Sequence, residues 1–439
     1  MGADLQAFNV VLKEVFEEGV SEGVHYKNPL RDLLKTEKVP FKGLEVQRLM
    51  HTSGNVSPMF VGEDSAFAEA GQQQYAKFAI DQRKLMARIR MTWEVMQDST
   101  SSEGAFISAR KSEMQYLIDD ISRRDEHALA SDGRGVLALV DEATPNGDTT
   151  LELDAPGGIT GDDYGNRFVS KGMFLAFINP ASGAFRSVTD NAKVTAVNSD
   201  GTDVTVDSAS NVSSDAANSD YVVQAADKDV TSVNDTSYEK AWWGLMALVD
   251  DGTYRSNYFG VTRSNVPAVS SYVTASTGAL STDLIQRVSD VLDQKLGGKT
   301  SIILAHHSIR RLVIQLTDGD RRYSGPQLIK PDPGTVAFKQ GDIPFGDVMI
   351  RAVRDFPLGV MMFLDVENAG FKEYVSESGK WVDEDGSVLV RVGSGSTGRD
   401  AFEGWYRMRK QYFMEYPAYC ARLDGITGQS LVVQRPAGW

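Results

Sequence analysis

Leu85-Met86-Ala87-Arg88-Ile89-Arg90-Met91-Thr92-Trp93-Glu94-Val95 is the stretch on which the reading of this chain turns. Leu85, Ala87, Ile89, Met91, Trp93 and Val95 fall on one face of an extended segment, and Arg88, Arg90, Thr92 and Glu94 fall on the other, so one face of this strand must be buried. A helix over 104–131 follows. In it Ile107, Met114, Leu117, Ile118, Ile121 and Ala128 recur at spacings of three, four and seven, and Asp132-Gly133 closes it. At 1.5 Å per residue such a helix runs for roughly 40 Å. A half-buried strand leading into a long helix with one apolar stripe makes this a chain that mixes strand and helix.

Upstream, Leu44, Val46 and Met50 are interleaved with Glu45, Gln47 and Arg48, and a second alternating run begins near Phe78 beyond a Gly/Ser/Pro-rich stretch. The pattern predicts a long two-stranded excursion that the 85–95 strand completes. Before it, Leu5, Phe8, Leu12, Val15 and Phe16 stand at helical spacing. Gly19 and Gly23 loosen the chain, Lys27-Asn28-Pro29 breaks it, and a short apolar turn follows at Leu30, Leu33 and Leu34. Such an arm has little core of its own.

Downstream of the helix the chain turns acidic. The whole sequence of 439 residues carries 45 basic and 60 acidic side chains, a net charge of −15. Residues 141–240 hold 17 acidic and 6 basic ones, which concentrates −11 in one segment. Its short runs, 174–178, 194–197, 204–206 and 221–223, are separated by turn signals such as Asn198-Ser199-Asp200-Gly201, and predict an inserted all-β subdomain. After Gly278 the pattern becomes mixed: a helix over 282–296, an apolar strand over 301–304, and a short helix with Ser308 as its N-cap. Residues 374–392 are read as a hairpin turning at Asp383-Glu384-Asp385-Gly386. Residues 402–433 are read as long paired strands with Pro417 at a strand start.

Composition excludes several classes. Cys420 is the only cysteine, so an internal disulfide and a cysteine-based metal cluster are ruled out, and a reducing compartment is expected. No stretch approaches the roughly 20 apolar residues of a membrane-spanning helix, and 1–10 lack a basic region before an apolar one. The net charge argues against a dedicated nucleic-acid binder.

The motifs that suggest chemistry have plainer readings. Gly393-Ser394-Gly395-Ser396-Thr397-Gly398 matches a dinucleotide fingerprint, but the residues after it alternate as strands, so it reads as a flexible loop. Gly298-Lys299-Thr300 lacks the upstream glycine of a phosphate loop, where Asp293 stands, and reads as a helix stop at Gly297 or Gly298. His306-His307 would point to opposite faces of a strand, and Asp125-Glu126-His127 reads as a solvated charge cluster. Arg83, Lys84, Arg88, Arg90, Arg407, Arg409 and Lys410 read as solvated or intersubunit charges ahead of a phosphate-facing surface. No catalytic, cofactor-binding or metal-binding residue is assigned, and no cofactor is expected.

The order of segments resembles the major capsid proteins of tailed bacteriophages, the Hong Kong ninety-seven type fold. The resemblance is carried by Asn28-Pro29-Leu30, by Trp93-Glu94-Val95-Met96-Gln97-Asp98-Ser99, by Arg322-Tyr323-Ser324-Gly325-Pro326-Gln327, by 346–351 before Phe356-Pro357-Leu358-Gly359, and by Arg399-Asp400-Ala401-Phe402 leading to Tyr416-Pro417-Ala418. It implies an α+β fold with an N-terminal arm (1–38), an extended loop (39–84), a peripheral domain with a spine helix (85–140) and an inserted β subdomain (141–240), whose acidity is read as placing it outward. A connection (241–277), an axial domain (278–398) and return strands of the peripheral domain (399–439) complete it.

The function so implied is a non-enzymatic shell protein. Its partners would be itself, in pentamers and hexamers, then scaffolding, portal and decoration proteins, with non-specific contact to packaged double-stranded DNA and none to membrane. It would be assembled in the host bacterial cytoplasm and end in the virion capsid. Two departures qualify this. No match to the family's lysine-to-asparagine crosslinking pair is present, so crosslinking is not expected, and no long N-terminal scaffolding region precedes the arm, which points to a separate scaffolding protein or prior cleavage. The alternatives are an encapsulin-type compartment on the same fold and, from another class, a hydrolase or glycan-binding protein with the β insert as its recognition module.

Overall fold

The computed structural model describes residues 29–92, 103–317 and 343–429, except for 35–36, 42, 44, 56, 64–65, 67, 142–148, 160–163, 187–190, 208–215, 346–347, 383–388 and 393–400. The expected arm helix over 5–16, the segments 93–99 and 322–327, the Gly/Ser run 393–398 and the turn at 383–386 lie outside the described residues. Along the chain stand a short helix Pro29–Leu33, strands β1 (Glu37–Pro40), β2 (Glu45–Ser53), β3 (Gln74–Asp81) and β4 (Arg83–Thr92), and the long helix Glu103–Ala130. Then come β5 (Val136–Val140), β6 (Thr150–Asp154), β7 (Phe174–Ile178), β8 (Ala192–Val197), β9 (Asp203–Val206) and β10 (Tyr221–Ala225). Next are β11 (Asn257–Tyr258), β12 (Val261–Thr262), β13 (Tyr272–Thr274), β14 (Gly278–Ala279), helix Thr282–Leu296, β15 (Ile302–Ala305) and helix His307–Thr317. The series ends with β16 (Ile343–Phe345), β17 (Val348–Ala352), β18 (Met361–Leu364), β19 (Phe371–Trp381), β20 (Val390–Arg391), β21 (Ala401–Met414), β22 (Ala421–Leu423) and β23 (Ile426–Thr427). The class is α+β.

The chain divides into two compact units. The first is drawn from the described parts of Met1–Val46, Ile80–Leu129 and Phe371–Phe413. Its sheet is ordered β1-β19-β21-β20, with β4 also paired to β21. The antiparallel β4–β21 ladder sets Leu85 opposite Met408 and Ala87 opposite Tyr406. That face packs on Met114, Ile118 and Ile121 of the long helix, so the alternation of 85–91 becomes burial here. The expected 374–392 hairpin does not form between its own arms. Val382 N–H donates to Trp405 O (2.7 Å) and Val390 stands opposite Glu403, so β19 and β20 both lie along β21, whose 14 residues offer a long edge.

The second unit is drawn from Gln47–Ala79, Ala130–Gly370 and Met414–Trp439. Within it, strands β10-β5-β6-β9-β8-β7 close into a barrel. Inward Leu137, Leu151, Leu175, Phe177, Val204 and Val222 fill it, as period-2 patterning in short strands requires. The barrel takes its first strand from 136–140, ahead of the acidic segment. Buried Asn166 donates from Nδ2 to Asn198 O (2.9 Å) and Asp203 O (3.0 Å), tying a crossing loop to the barrel.

A six-stranded mixed sheet, β13-β22-β18-β15-β17-β16, forms the rest of the second unit's core. Ile285, Val288 and Leu292 of one helix and Ile309 and Val313 of the next cover it. Ser281 Oγ accepts from Leu284 N–H (3.2 Å) at one helix start, and Gly297 ends that helix with φ 68°. Lys299 therefore belongs to a helix stop, its N–H donating to Asp365 Oδ2 (3.0 Å). Ser308 is not the cap of the following helix but its second residue, and the His306 imidazole accepts from Ser308 N–H (3.3 Å). Beyond Met414 the chain leaves the first sheet. Pro417 opens a 3-10 turn instead of a strand, because it presets φ for such a turn, and β22 pairs with β13 and β18. The described tail is thus divided among three sheets, β21 in the first, β22 in the six-stranded one and β23 beside β14, instead of forming one run of return strands.

Candidate assembly surfaces and buried charge

Among the described residues, strands β2 and β3 pair only with each other. Met50, Phe78 and Ile80 of the ribbon are buried, but Leu49 (71 % exposed), Tyr75 and, in the connection between the strands, Met59, Phe60 (106 %) and Val61 stand in solvent. At its root the ribbon is held: Phe78 is buried edge-on against Tyr258, and Ala79 N–H donates to Phe259 O (2.8 Å). A fixed root and an apolar free end are what an element needs in order to cover another molecule.

Most of the basic residues singled out in the sequence stand beside carboxylates. Arg88 and Arg90 both lie 3.7 Å from Glu403, and Arg83 Nε donates to Asp81 (3.0 Å). Arg407 grips Glu377 with two hydrogen bonds (2.6 and 2.7 Å), and Arg409 reaches the same carboxylate at 3.6 Å. Lys84 is exposed. Lys410 is buried in the core, so for this residue the reading as a solvated charge is corrected.

The same correction applies to Asp125 and Glu126, which are buried. Asp125 lies seven residues past Ile118 and four past Ile121, on the apolar stripe of the long helix. That spacing was visible in the sequence, but charge was read as a sign of exposure. Around Asp125 the first unit gathers Lys410, Glu373, Arg31 and Tyr412. Lys410 pairs with Asp125, its Nζ lies 3.5 Å from Glu373 Oε1, and Glu373 Oε2 takes the Arg31 guanidinium. Two cations and two anions balance inside a core, which is the condition under which buried charge is tolerated. Burial, reinforced by the Asp125 and Glu373 carboxylates, raises the Tyr412 hydroxyl well above its ordinary range, so it stays protonated.

In the second unit His306 is pushed down to about 3 by burial, with Arg167, His307 and Arg311 adding repulsion against a proton. It is neutral at pH 7, and its ring nitrogen accepts the cap hydrogen bond from Ser308 N–H. Its ring and that of His307 are 5.7 Å apart and nearly perpendicular. Among the described residues no group of three or more His, Cys, Asp or Glu is placed to hold a metal ion, and no helix is long and apolar enough to cross a membrane. Cys420 is buried, which pushes its thiol up to about 12.

No protein-family model matches the chain, and no curated protein matches it. Solved structures do. A chain of the cyanophage A-1(L) capsid asymmetric unit aligns with a TM-score of 0.54 at 10 % identity, covering 91 % of this chain and 93 % of that one. The capsid of the native GTA particle gives 0.44 at 12 % identity with 91 % of each chain covered, and the capsid of Myoviridae phage XM1 gives 0.43 at 6 % with the same coverage. The first of these likenesses shows that this chain shares the fold of the cyanophage capsid chain over most of its length.

Proposed function

We propose that this chain is the major capsid protein of a tailed bacteriophage, which self-assembles through rings of five and six into an icosahedral head enclosing double-stranded DNA. The observation that carries the reading is the shared fold, which spans nearly the whole of both chains. The ribbon of β2 and β3 supports it, because an apolar arm with a fixed root has a use in a shell and none in a monomer.

In this reading 39–84 is the extended loop laid over a neighbour. The unit with the long helix acts as the peripheral domain, and the sheet bearing the helices Thr282–Leu296 and His307–Thr317 acts as the axial domain. The acidic barrel faces outward, since a net charge of −11 on the inner wall would repel packaged DNA. The role is mechanical and non-enzymatic, with scaffolding and portal proteins as further partners, assembly in the host cytoplasm and the virion as destination.

Light scattering and negative-stain electron microscopy test the proposal on protein expressed alone and with candidate scaffold genes. Shells or five- and six-membered rings are expected, and nuclease-protected DNA in native particles separates a virus head from an enzyme compartment. A strictly monomeric protein under both conditions overturns it.

A further inference from the structure

The two faces of the first unit's sheet differ in kind. In the β4–β21 ladder, Leu85, Ala87, Tyr406 and Met408 turn toward the long helix, and the residues between them turn away. On that second face Lys84 stands opposite Arg409, Met86 opposite Arg407, Arg88 opposite Trp405 and Arg90 opposite Glu403. Lys84, Met86, Arg88 and Arg90 are all exposed. The charges form trios: Arg88 and Arg90 share Glu403, and Arg407 and Arg409 share Glu377. The carboxylates lie low and the cations high, the Glu403 side chain being 10 % exposed and that of Arg88 61 %. Each carboxylate offsets one of its two guanidinium groups, so each trio keeps one positive charge, and Lys84 adds another. On a chain of net charge −15 this face runs against the average.

We infer that this open face of the β4–β21 ladder binds duplex DNA through its phosphates, without reading the base sequence. All its cations but Lys84 are arginines, whose forked, planar guanidinium matches a phosphate better than the point charge of a lysine does. A guanidinium has five N–H groups, so each keeps donors beyond those its carboxylate takes. From Lys84 to Arg90 the face runs for about 20 Å at 3.4 Å per residue, and over that length one strand of a duplex presents about six phosphates.

Strands β1, β19, β21 and β4 lie side by side, and at about 4.8 Å between neighbours they make a sheet too broad for a groove about 12 Å wide. Contact therefore stays on the backbone of the duplex. Apolar area on the face is limited to Met86 and Trp405, whereas the centre of a protein–protein interface is depleted of charge, so a polyanion fits this surface better than a protein does. In the proposed head this is where the wall meets packaged DNA, and the inference rests on that reading only for the source of the DNA.

The test is fluorescence anisotropy of a labelled duplex of about 30 bp, titrated at about 50 mM and about 200 mM salt with the full chain kept unassembled, as checked by light scattering. With three phosphates neutralised, affinity should fall about 40-fold over that range. Arg88→Gln with Arg409→Gln removes two of the charges and leaves each carboxylate a partner, Arg90 for Glu403 and Arg407 for Glu377, so the sheet keeps its ion pairs. In this double variant the fall should shrink to about fourfold, and binding at the lower salt should weaken by about tenfold or more. Lys171→Gln with Lys193→Gln, at two exposed lysines of the second unit, should match the wild type. Absence of duplex binding by the wild type at the lower salt overturns the inference, as does an unchanged salt dependence in the Arg88 and Arg409 variant. Poly-glutamate that binds more tightly than the duplex at equal charge also overturns it and gives the face to an acidic protein. The capsid reading is judged separately, by whether shells or rings form, so shells from a chain that does not bind duplex remove this contact and leave that reading standing.

Discussion

Gly379 and Tyr406 pack so closely across the first unit's sheet that a Cβ on Gly379 would collide with the Tyr406 hydroxyl. Gly379 also holds φ at +111° inside β19, a region that residues with a side chain rarely enter. Tyr406 is fixed from its other sides by Trp381, at 5.6 Å and edge-on, and by Met408 and Ile121 in the same core, so it has nowhere to retreat. Gly379→Ala should therefore cost about 3 kcal/mol or more in denaturant unfolding, combining strain with overpacking. Gly172→Ala, at φ +91° with open space around it, should cost only about 1 kcal/mol. Equal losses at the two sites would show that contact with Tyr406 does not matter.

Arg422 is fully buried and serves four partners: Asp250 Oδ1 (3.0 Å), Asp424 Oδ2 (2.9 Å), Met246 O (2.9 Å) and Val249 O (2.6 Å). It fastens 246–250 to the end of β22. Burial raises Asp424 above its ordinary carboxylate range, and Arg422 opposes that rise. Arg422→Met leaves two buried carboxylates without their cation, so a loss of about 3 to 5 kcal/mol is expected at neutral pH. The sign with pH follows from linkage. An acid whose folded pKa is raised binds its proton more tightly in the folded state, so stability falls as pH rises through that value. The variant should be penalised less in mild acid than at pH 7, and a pH-independent penalty measured by denaturant titration would refute this account.

Much of the fold was legible because its signals are local. The alternation of 85–92, the stripe at 114, 118 and 121, and the helix stop at Gly297 each depend on neighbours a few residues away. What could not be read was where strands find partners over long separations. β20 follows β19 closely in sequence, yet both pair with β21, and Pro417 separates two sheets that sequence patterning joined into one run. The charge cluster was missed for a related reason. Asp125, Glu373 and Lys410 compensate one another from segments up to 285 residues apart, and no local pattern announces such a partner.

The apolar end of the β2–β3 ribbon should matter to assembly and not to folding. Phe60 makes no contact that shields it from water, so Phe60→Asp should shift thermal unfolding by less than about 0.5 kcal/mol in equivalent stability. The same substitution puts a charge where a neighbouring subunit would cover the ring, and it should reduce shells or rings to smaller species in light scattering. Leu49→Ser, also on the exposed ribbon, should act in the same direction. Normal shells from both variants would mean that the ribbon is not an intersubunit contact.

His306 should make the second unit sensitive to acid. Its ordinary value is 6.5 and its folded value is pushed down to about 3, first by burial and then by Arg167, His307 and Arg311, with Asp355 alone pulling the other way. A histidine depressed in the folded state adds stability that is fully present above 6.5 and is lost as pH falls toward 3, because only the unfolded chain takes up the proton in that window. The slope should be about 1 kcal/mol per pH unit. His306→Asn keeps an oxygen able to accept from Ser308 N–H while removing the titration. Unfolding free energies of the variant and the wild type should therefore be close at pH 7 if the cap is kept, and the wild type should lose more between pH 6 and pH 4. Parallel curves over that window would assign the acid sensitivity to other groups.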